Sequence, residues 1–411
     1  MSREEEEPAS PTAQLMQSPN FNLCIIAVMG MEQTLIKHPC LSSILVTDGK
    51  KRGNYSWKQT RINLENHVFT LDLDPNMESL DIFVEDYTST LSKTSFDQNK
   101  PLWEVHILNV KTSDANSTNQ KPIISTNNGL MKRFIFLIWT TFLIVFYTLI
   151  DCTFIKGSSQ ELSSKRFVHR IISLDDVKLV KNAMNVSIND VILGVTEAGL
   201  SQKDRENKAE AVKKPKLSPK NLCLRSAVVF NLKPSPTIED LAEVMEKEKD
   251  LNGKWGNLIG VALLPLTIAL QEDPLAYINR AKATMDRKKL SLEPKCAFTI
   301  LKLLIKLFGI KVGAAATSAV FSNTTFTFSN VVGPQEEIIL FGHPLCYIAP
   351  SVSGFPQALV VHYQSYGNKL TISLAADETL IPNPHQLCDD LQKSLENIKE
   401  TIIKRGLVKD Y

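Results

Sequence analysis

The stretch RFVHRIISLDDVKLVKNAMNVSINDVILGVTEAGL, residues 166–200, decides the fold. Arg166 to Leu174 reads as a strand, because Phe167, Val168, Ile171 and Ile172 suit a pleated, half-buried surface. Asp175 to Asn185 follows as a helix. Ser187-Ile188-Asn189-Asp190 then reads as the cap of a second helix running to Leu200, with Ser187 as N-cap and Asp190 in the first turn. The alternation continues downstream, with a strand at 224–232, a helix at 237–250, a strand at 257–264 and a helix from Asp273 to about Leu290. One more helix is expected from Pro294 to about Phe321, bent at Gly309 and Gly313. Strands near 324–332, 337–341, 357–365 and 369–376 precede a last amphipathic helix from Pro384 to Arg405. Strands and helices interleaved in this way predict a layered α/β or α+β architecture.

Upstream, Phe21 to Met29 and Leu41 to Thr47 are apolar runs of strand length, separated by a turn or two of helix at Glu32 to Lys37. Asn76 to Ser92 places Met77, Leu80, Phe83, Val84, Tyr87 and Leu91 at helical spacing, which predicts an amphipathic helix on a sheet. Leu102 to Val110 alternates as a buried strand does. A polar stretch from Asn116 to Gly129 comes next, and Lys132-Arg133 then opens an uncharged run from Phe134 to Ile150. That run would make roughly 25 Å of helix, the lower edge of a bilayer core. It is apolar on every face, so membrane insertion or in-plane attachment of 133–155 leads over a buried core helix. The basic pair ahead of it favours a cytosolic N-terminus. Gly157 to Lys165 reads as a linker. Gln202 to Lys220 reads as a solvated crossover loop, with contact to anionic headgroups as the other reading, because it holds seven basic residues against three acidic ones.

A chain of 411 residues is long enough for two domains that each bury a core. Its 46 basic and 44 acidic side chains leave a net charge of +2, which gives no field for nucleic acid. The cysteines at 24, 40, 152, 223, 296, 346 and 388 are scattered, with no C-x-x-C and no His/Cys cluster at metal-ligand spacing. Reduced thiols in a protein facing the cytosol are expected. The first twenty residues, with Glu4 to Glu7 and three prolines, lack the basic start and apolar run of a signal peptide.

Pro101-Leu102-Trp103, Asn189-Asp190-Val191-Ile192-Leu193-Gly194 and Ser329-Asn330-Val331-Val332-Gly333-Pro334 carry a resemblance when taken in this order. Trp255-Gly256-Asn257, Asp286-Arg287-Lys288-Lys289, Gly342-His343-Pro344 and Pro384-His385-Gln386-Leu387-Cys388-Asp389-Asp390-Leu391 extend it. Together they resemble the plant-type wax ester synthase/diacylglycerol acyltransferase family. The resemblance runs unbroken from about Lys165 to Gly406, and in the N-terminal half covers about 7–30, 32–114 and 131–156. It implies a two-domain CoA-dependent acyltransferase fold with a tunnel between the domains and an incomplete N-terminal domain. The expected division is 1–156, a linker at 157–165, and a C-terminal acyltransferase domain at 166–411. The implied activity is transfer of a long acyl chain from acyl-CoA, a co-substrate, to a fatty alcohol or a diacylglycerol, with no resident cofactor and no metal. Cytosol-facing domains on the endoplasmic reticulum, or on the plasma membrane, are implied as well.

The family's catalytic motif is His-His-x-x-x-Asp-Gly, whose second His takes the proton of the acceptor hydroxyl. No such motif occurs here. Of His38, His67, His106, His169, His343, His362 and His385, only His385 has an Asp four residues on, Asp389, and Asp390 follows where the motif has Gly. A structural or surface role is expected for His106, His169 and His362, and His385, at the start of the last helix, is not expected to act as the base. By position the resemblance assigns Trp103, Asn189, Asp190, Ser329, Asn330 and Gly333 to the substrate-binding surface. Asn189 has a plain helix cap as its other reading, and Trp103 a core or interface aromatic.

Overall fold

The computed structural model describes residues 7–8, 17–18, 21–22, 24–28, 43–47, 55–60, 62–71, 80–94, 97, 99–108, 165–211, 222–232, 259–289, 293–336, 338–340 and 343–408. Its N-terminal half contributes strands β1 (Cys24–Val28), β2 (Ser43–Thr47), β3 (Tyr55–Gln59) and β4 (Val68–Leu71), helix α1 (Leu80–Leu91) and strand β5 (Val105–Leu108). The C-terminal half opens with strand β6 (Lys165–Ser173), helices α2 (Leu174–Met184) and α3 (Ile188–Ala211), and strands β7 (Leu222–Asn231) and β8 (Ile259–Ile268). Helices α4 (Leu275–Lys289), α5 (Glu293–Phe308) and α6 (Ile310–Ser322) follow. Strands β9 (Phe326–Val331), β10 (Ala349–Ser353), β11 (Leu359–Tyr366) and β12 (Lys369–Asp377) and helix α7 (Pro384–Lys404) complete it.

Six strands form one mixed sheet in the order β8-β7-β9-β11-β12-β6. Strand β9 runs parallel to both its neighbours, and the other pairings are antiparallel. Side chains alternate across it, so one strand feeds two cores. Phe326 and Phe328 of β9 and Val361 and Tyr363 of β11 join the face covered by α2, α3, α4 and α7, against Val191, Ile278, Leu391 and Ile398. Ala227, Val360 and Ala375 join the opposite face, against Ala314 and Phe321 of α6. Helix α3 is held closest. A Cβ on Gly194 would meet Ile278 of α4 and one on Gly199 would meet Leu391 of α7, so small residues set both helix contacts.

The N-terminal half forms smaller sheets among the described residues. β2 and β3 pair with each other, β4 pairs in parallel with β5, and β1 pairs antiparallel with β10 of the C-terminal half, Cys24 opposite Ser353. Helix α1 docks on β6, where Ser89 Oγ donates to the carbonyl of Lys165 at 2.8 Å. Arg166 sits between Glu85 and Asp86 of α1, at 3.4 and 3.0 Å, and Glu378 at 2.5 Å.

Several expectations are corrected here. Gln202 to Ala211, expected to begin a loop, continues α3, because Gln, Lys, Arg, Glu and Ala sustain a helix without an apolar stripe. The bent helix at 294–321 is two helices, since Gly309 adopts φ 85° between them. Lys165, assigned to the linker, opens β6, and its buried ammonium donates to the carbonyl of Phe355 at 2.9 Å. Strands β3, β4 and β10 were not expected. The helices expected at 32–37, 133–155 and 237–250 lie outside the described residues, as do loop 212–220 and linker 157–164. Among the described residues no helix is long and apolar enough to cross a membrane.

Candidate functional site

The N-terminus of α3 meets the C-terminal end of β9, and two of the sequence-assigned residues touch there. Asn330 Nδ2 donates to Asn189 Oδ1 at 2.6 Å across 141 residues of chain. Local chemistry fixes this meeting. Ser187 Oγ accepts from the Asp190 amide at 3.3 Å and Asp190 Oδ2 accepts from the Ser187 amide at 2.7 Å, a reciprocal capping box. The cap is therefore Ser187 with Asp190, which leaves Asn189 free of that duty and turned toward β9. Asp190 is 2% exposed, so its part in the site is to hold the first turn of α3. A helix N-terminus beside the carboxyl end of parallel strands offers amide donors and a positive dipole end to a polar or anionic group.

Ser329 and Asn330 are successive residues of β9 and therefore lie on opposite faces. Asn330 is on the α3 side. Ser329 is buried and opposite His362 of β11, on the other face, so the two do not form one donor pair. Gly333 has a packing reason of its own. A Cβ there would lie 2.0 Å from the carbonyl oxygen of Ser365, and its amide donates to Ser365 Oγ at 3.1 Å. The glycine lets the chain leave β9 and cross the end of β11. Trp103 stands apart from these residues in the N-terminal half, with its ring stacked on His67 at 4.3 Å and its carbonyl accepting from His67 Nδ1 at 2.7 Å.

Most histidines whose side chains are described are engaged elsewhere. His67 is buried against Trp103. His106 Nδ1 hydrogen-bonds Tyr87 Oη at 2.7 Å, Glu104 lies 3.5 Å from its Nε2, and Phe69 stacks on the ring. His169 stacks on Tyr347. His385 Nε2 lies 3.1 Å from Glu85 of α1. The motif-like partner Asp389 pairs instead with Arg170 at 2.5 Å. His362 is buried in the sheet, where desolvation pushes its pKa down to about 4, and its Nε2 has no hydrogen-bond partner among the described residues.

Among the buried ionisable groups that sequence reasoning missed are Glu197 and Lys165. Glu197 of α3 is 2% exposed, and burial raises its carboxyl to about 7 although Arg280 of α4 lies 3.1 Å away. Lys165 is pushed down to about 8 by burial, partly offset by Asp377. Glu197 lies on the third helical turn beyond Asn189, and nothing local in the sequence separates it from a surface carboxylate. Its burial comes from β8 and α4, which are distant in the chain.

The mixed six-stranded sheet, helices on both faces and the asparagine pair at a helix N-terminus define a CoA-dependent acyltransferase fold. The solved wax ester synthase/diacylglycerol acyltransferase from Marinobacter aquaeolei VT8 superposes with a TM-score of 0.57 at 16% identity, over 96% of this chain and 99% of that one. A trichothecene 15-O-acetyltransferase from Fusarium sporotrichioides superposes at 0.50 with 11% identity, over 97% and 94%. The model of the WS/DGAT C-terminal domain matches residues 255–399. Wax ester synthase/diacylglycerol acyltransferase 11 of Arabidopsis thaliana is 41% identical over 98% of this chain and 96% of its own length. Number 4 of the same organism is 38% identical over 98% and 92%. The chain belongs to the wax ester synthase/diacylglycerol acyltransferase family. The first of these alignments is 474 positions long against a chain of 411 residues, so at least 63 of its positions (474 less 411) have no residue here.

Proposed function

We propose that this chain retains the family's fold and acyl-CoA-facing surface but has lost, or severely reduced, transfer of a long acyl chain to a fatty alcohol or diacylglycerol. The observation that carries the reading is the absence of His-His-x-x-x-Asp-Gly from all 411 residues. In the reaction the acceptor oxygen attacks the thioester carbonyl as its proton passes to a base, the C–S bond breaks, and the proton ends on the CoA thiol. A base with a pKa near neutral does this best. His362, at about 4 and enclosed in the sheet, is a poor substitute. The asparagine pair supplies amide donors that suit a carbonyl or the CoA arm, and amides do not take the hydroxyl proton. Removing a general base costs about 10²- to 10⁴-fold in rate.

The test compares acyl transfer from palmitoyl-CoA to hexadecanol and to diolein by this chain and by a version with a His-His-x-x-x-Asp-Gly segment restored between Asp114 and Leu130. The restored chain is expected to turn over at least about 100-fold faster. Equal rates would sink the loss of catalysis, and acyl-CoA binding without turnover would identify a non-catalytic lipid-binding relative. Membrane association through 133–155, with the folded parts facing the cytosol on the endoplasmic reticulum, belongs to the same proposal. Deleting Arg133 to Ile155 is expected to release the chain from microsomes.

A further inference from the structure

The α5/α6 hairpin leaves its most apolar side chains in solvent. Leu303, Leu307 and Phe308 at the end of α5 are 53%, 61% and 64% exposed, and Val312 in the first turn of α6 is 43% exposed. They fall at i, i+4, i+5 and i+9, so they gather where Gly309 folds one helix back on the other. The opposite side of the hairpin is accounted for, since Leu301 and Ile310 pack against the core under the sheet and a Cβ on Gly313 would strike Ile305. Isolated exposed apolar residues are ordinary, but four large ones on one corner make a patch.

Charge specifies what the patch fits. From Pro294 to Ser322 there is no acidic residue, while Lys295, Lys302, Lys306 and Lys311 are all present. Lys302, Lys306 and Lys311 are exposed and alternate with Leu303, Leu307, Phe308 and Val312 along the same corner. The other long surface helix, α7, carries mixed charge, with Lys404 paired to Glu400 and Lys399 to Asp176. Leucine and phenylalanine rimmed by lysine is the chemistry of a segment lying in the boundary between headgroups and acyl chains of an anionic bilayer.

We propose that the α5/α6 corner is a second membrane contact, seating Leu303, Leu307, Phe308 and Val312 among acyl chains while Lys302, Lys306 and Lys311 face anionic headgroups. It does not depend on turnover, and it supplements attachment through 133–155 without being strong enough to replace it. It adds to the functional reading that long-chain acceptors, which partition into bilayers, are met at the membrane surface.

The test uses the full chain on vesicles of phosphatidylcholine with about one third phosphatidylserine, doped with a phosphatidylcholine that carries a photoactivatable diazirine in its acyl chain. Adducts mapped by mass spectrometry are expected on residues 303–312. In K302E/K306E/K311E, which alters only exposed side chains, the adduct yield is expected to fall at least 10-fold, since each basic residue near the surface contributes roughly 5-fold in binding. L307D/F308D is expected to abolish adducts there, with an unchanged circular dichroism spectrum. K393E/K404E on α7 should leave the yield unchanged. Adducts confined to other segments of a vesicle-bound chain, or no vesicle binding by the unmodified chain, would overturn the proposal.

Discussion

A methyl group on Gly333 would sit 2.0 Å from the Ser365 carbonyl, a backbone atom that cannot swing aside. Gly333→Ala is therefore expected to destabilise by about 1–3 kcal/mol, read as a lower midpoint in urea at unchanged slope. An unchanged midpoint would show that the β9 exit relaxes freely. Two buried ionisable groups set opposite pH dependences. For His362 the folded pKa of about 4 lies below the ordinary 6.5, so the unfolded chain binds the proton first as pH falls. Its contribution is complete above 6.5 and is lost between 6.5 and about 4. For Glu197 the folded pKa of about 7 lies above 4.5, so its contribution is complete below 4.5 and is lost as pH rises through about 7. The two windows overlap and their slopes oppose, so relative to the unmodified chain the melting temperature between pH 4.5 and 6.5 should fall more with rising pH in His362→Gln and fall more with falling pH in Glu197→Gln, and unchanged slopes in both would refute the assignments. The Asn189 and Asn330 contact was legible only as two separate motifs. Their meeting spans 141 residues, and the Ser187 and Asp190 cap that frees Asn189 is a matter of which side chain wins the helix end.

At the scale of elements, α3 is the hinge of the packing, because it lies between α4 on Gly194 and α7 on Gly199. Gly199→Val would press two methyl groups toward the Leu391 backbone, where an added Cβ already lies 3.2 Å from Cα. About 2 kcal/mol or more of destabilisation is expected, with the midpoint lowered by about 4–8 °C in calorimetry. A loss under one degree would mean that α7 shifts to accept the side chain. Period and composition revealed the regular elements of the sheet and its covering helices: β6, α2, β7, β11, β12 and α7 all fall within about two residues of their sequence-based bounds. The misses have physical causes. Gln202 to Ala211 lacks an apolar stripe yet extends α3, and Ala-Pro-Ser-Val-Ser at 349–353 has weak strand propensity but is paired by β1 from the other half of the chain.

For the whole molecule, the two large buried clusters decide where stability resides. Every member, from Phe167 to Ile402, belongs to the C-terminal half. Among the described residues the N-terminal half is joined to it by the five-residue pairing of β1 with β10, by the hydrogen bonds of Ser89 with Lys165 and of Ser353 with Ser92, by the ion pairs around Arg166 and by the contact of Glu85 with His385. Ion pairs near the surface contribute about 0–1 kcal/mol each, and the part-buried Arg166 and Glu85 pair belongs at the upper end of that range. A chain reduced to residues 157–411 should therefore keep its sheet and unfold in one cooperative transition, since nothing in either cluster is removed. It should lose only about 1–3 kcal/mol, chiefly through the uncovered β10 edge, which also predicts a greater tendency to self-associate. Calorimetry and light scattering of the fragment beside the full chain test both statements. A broad, non-cooperative transition in a monomeric fragment would mean that β1 and α1 are integral to the C-terminal fold, and that any shortening of the N-terminal half is felt well beyond it.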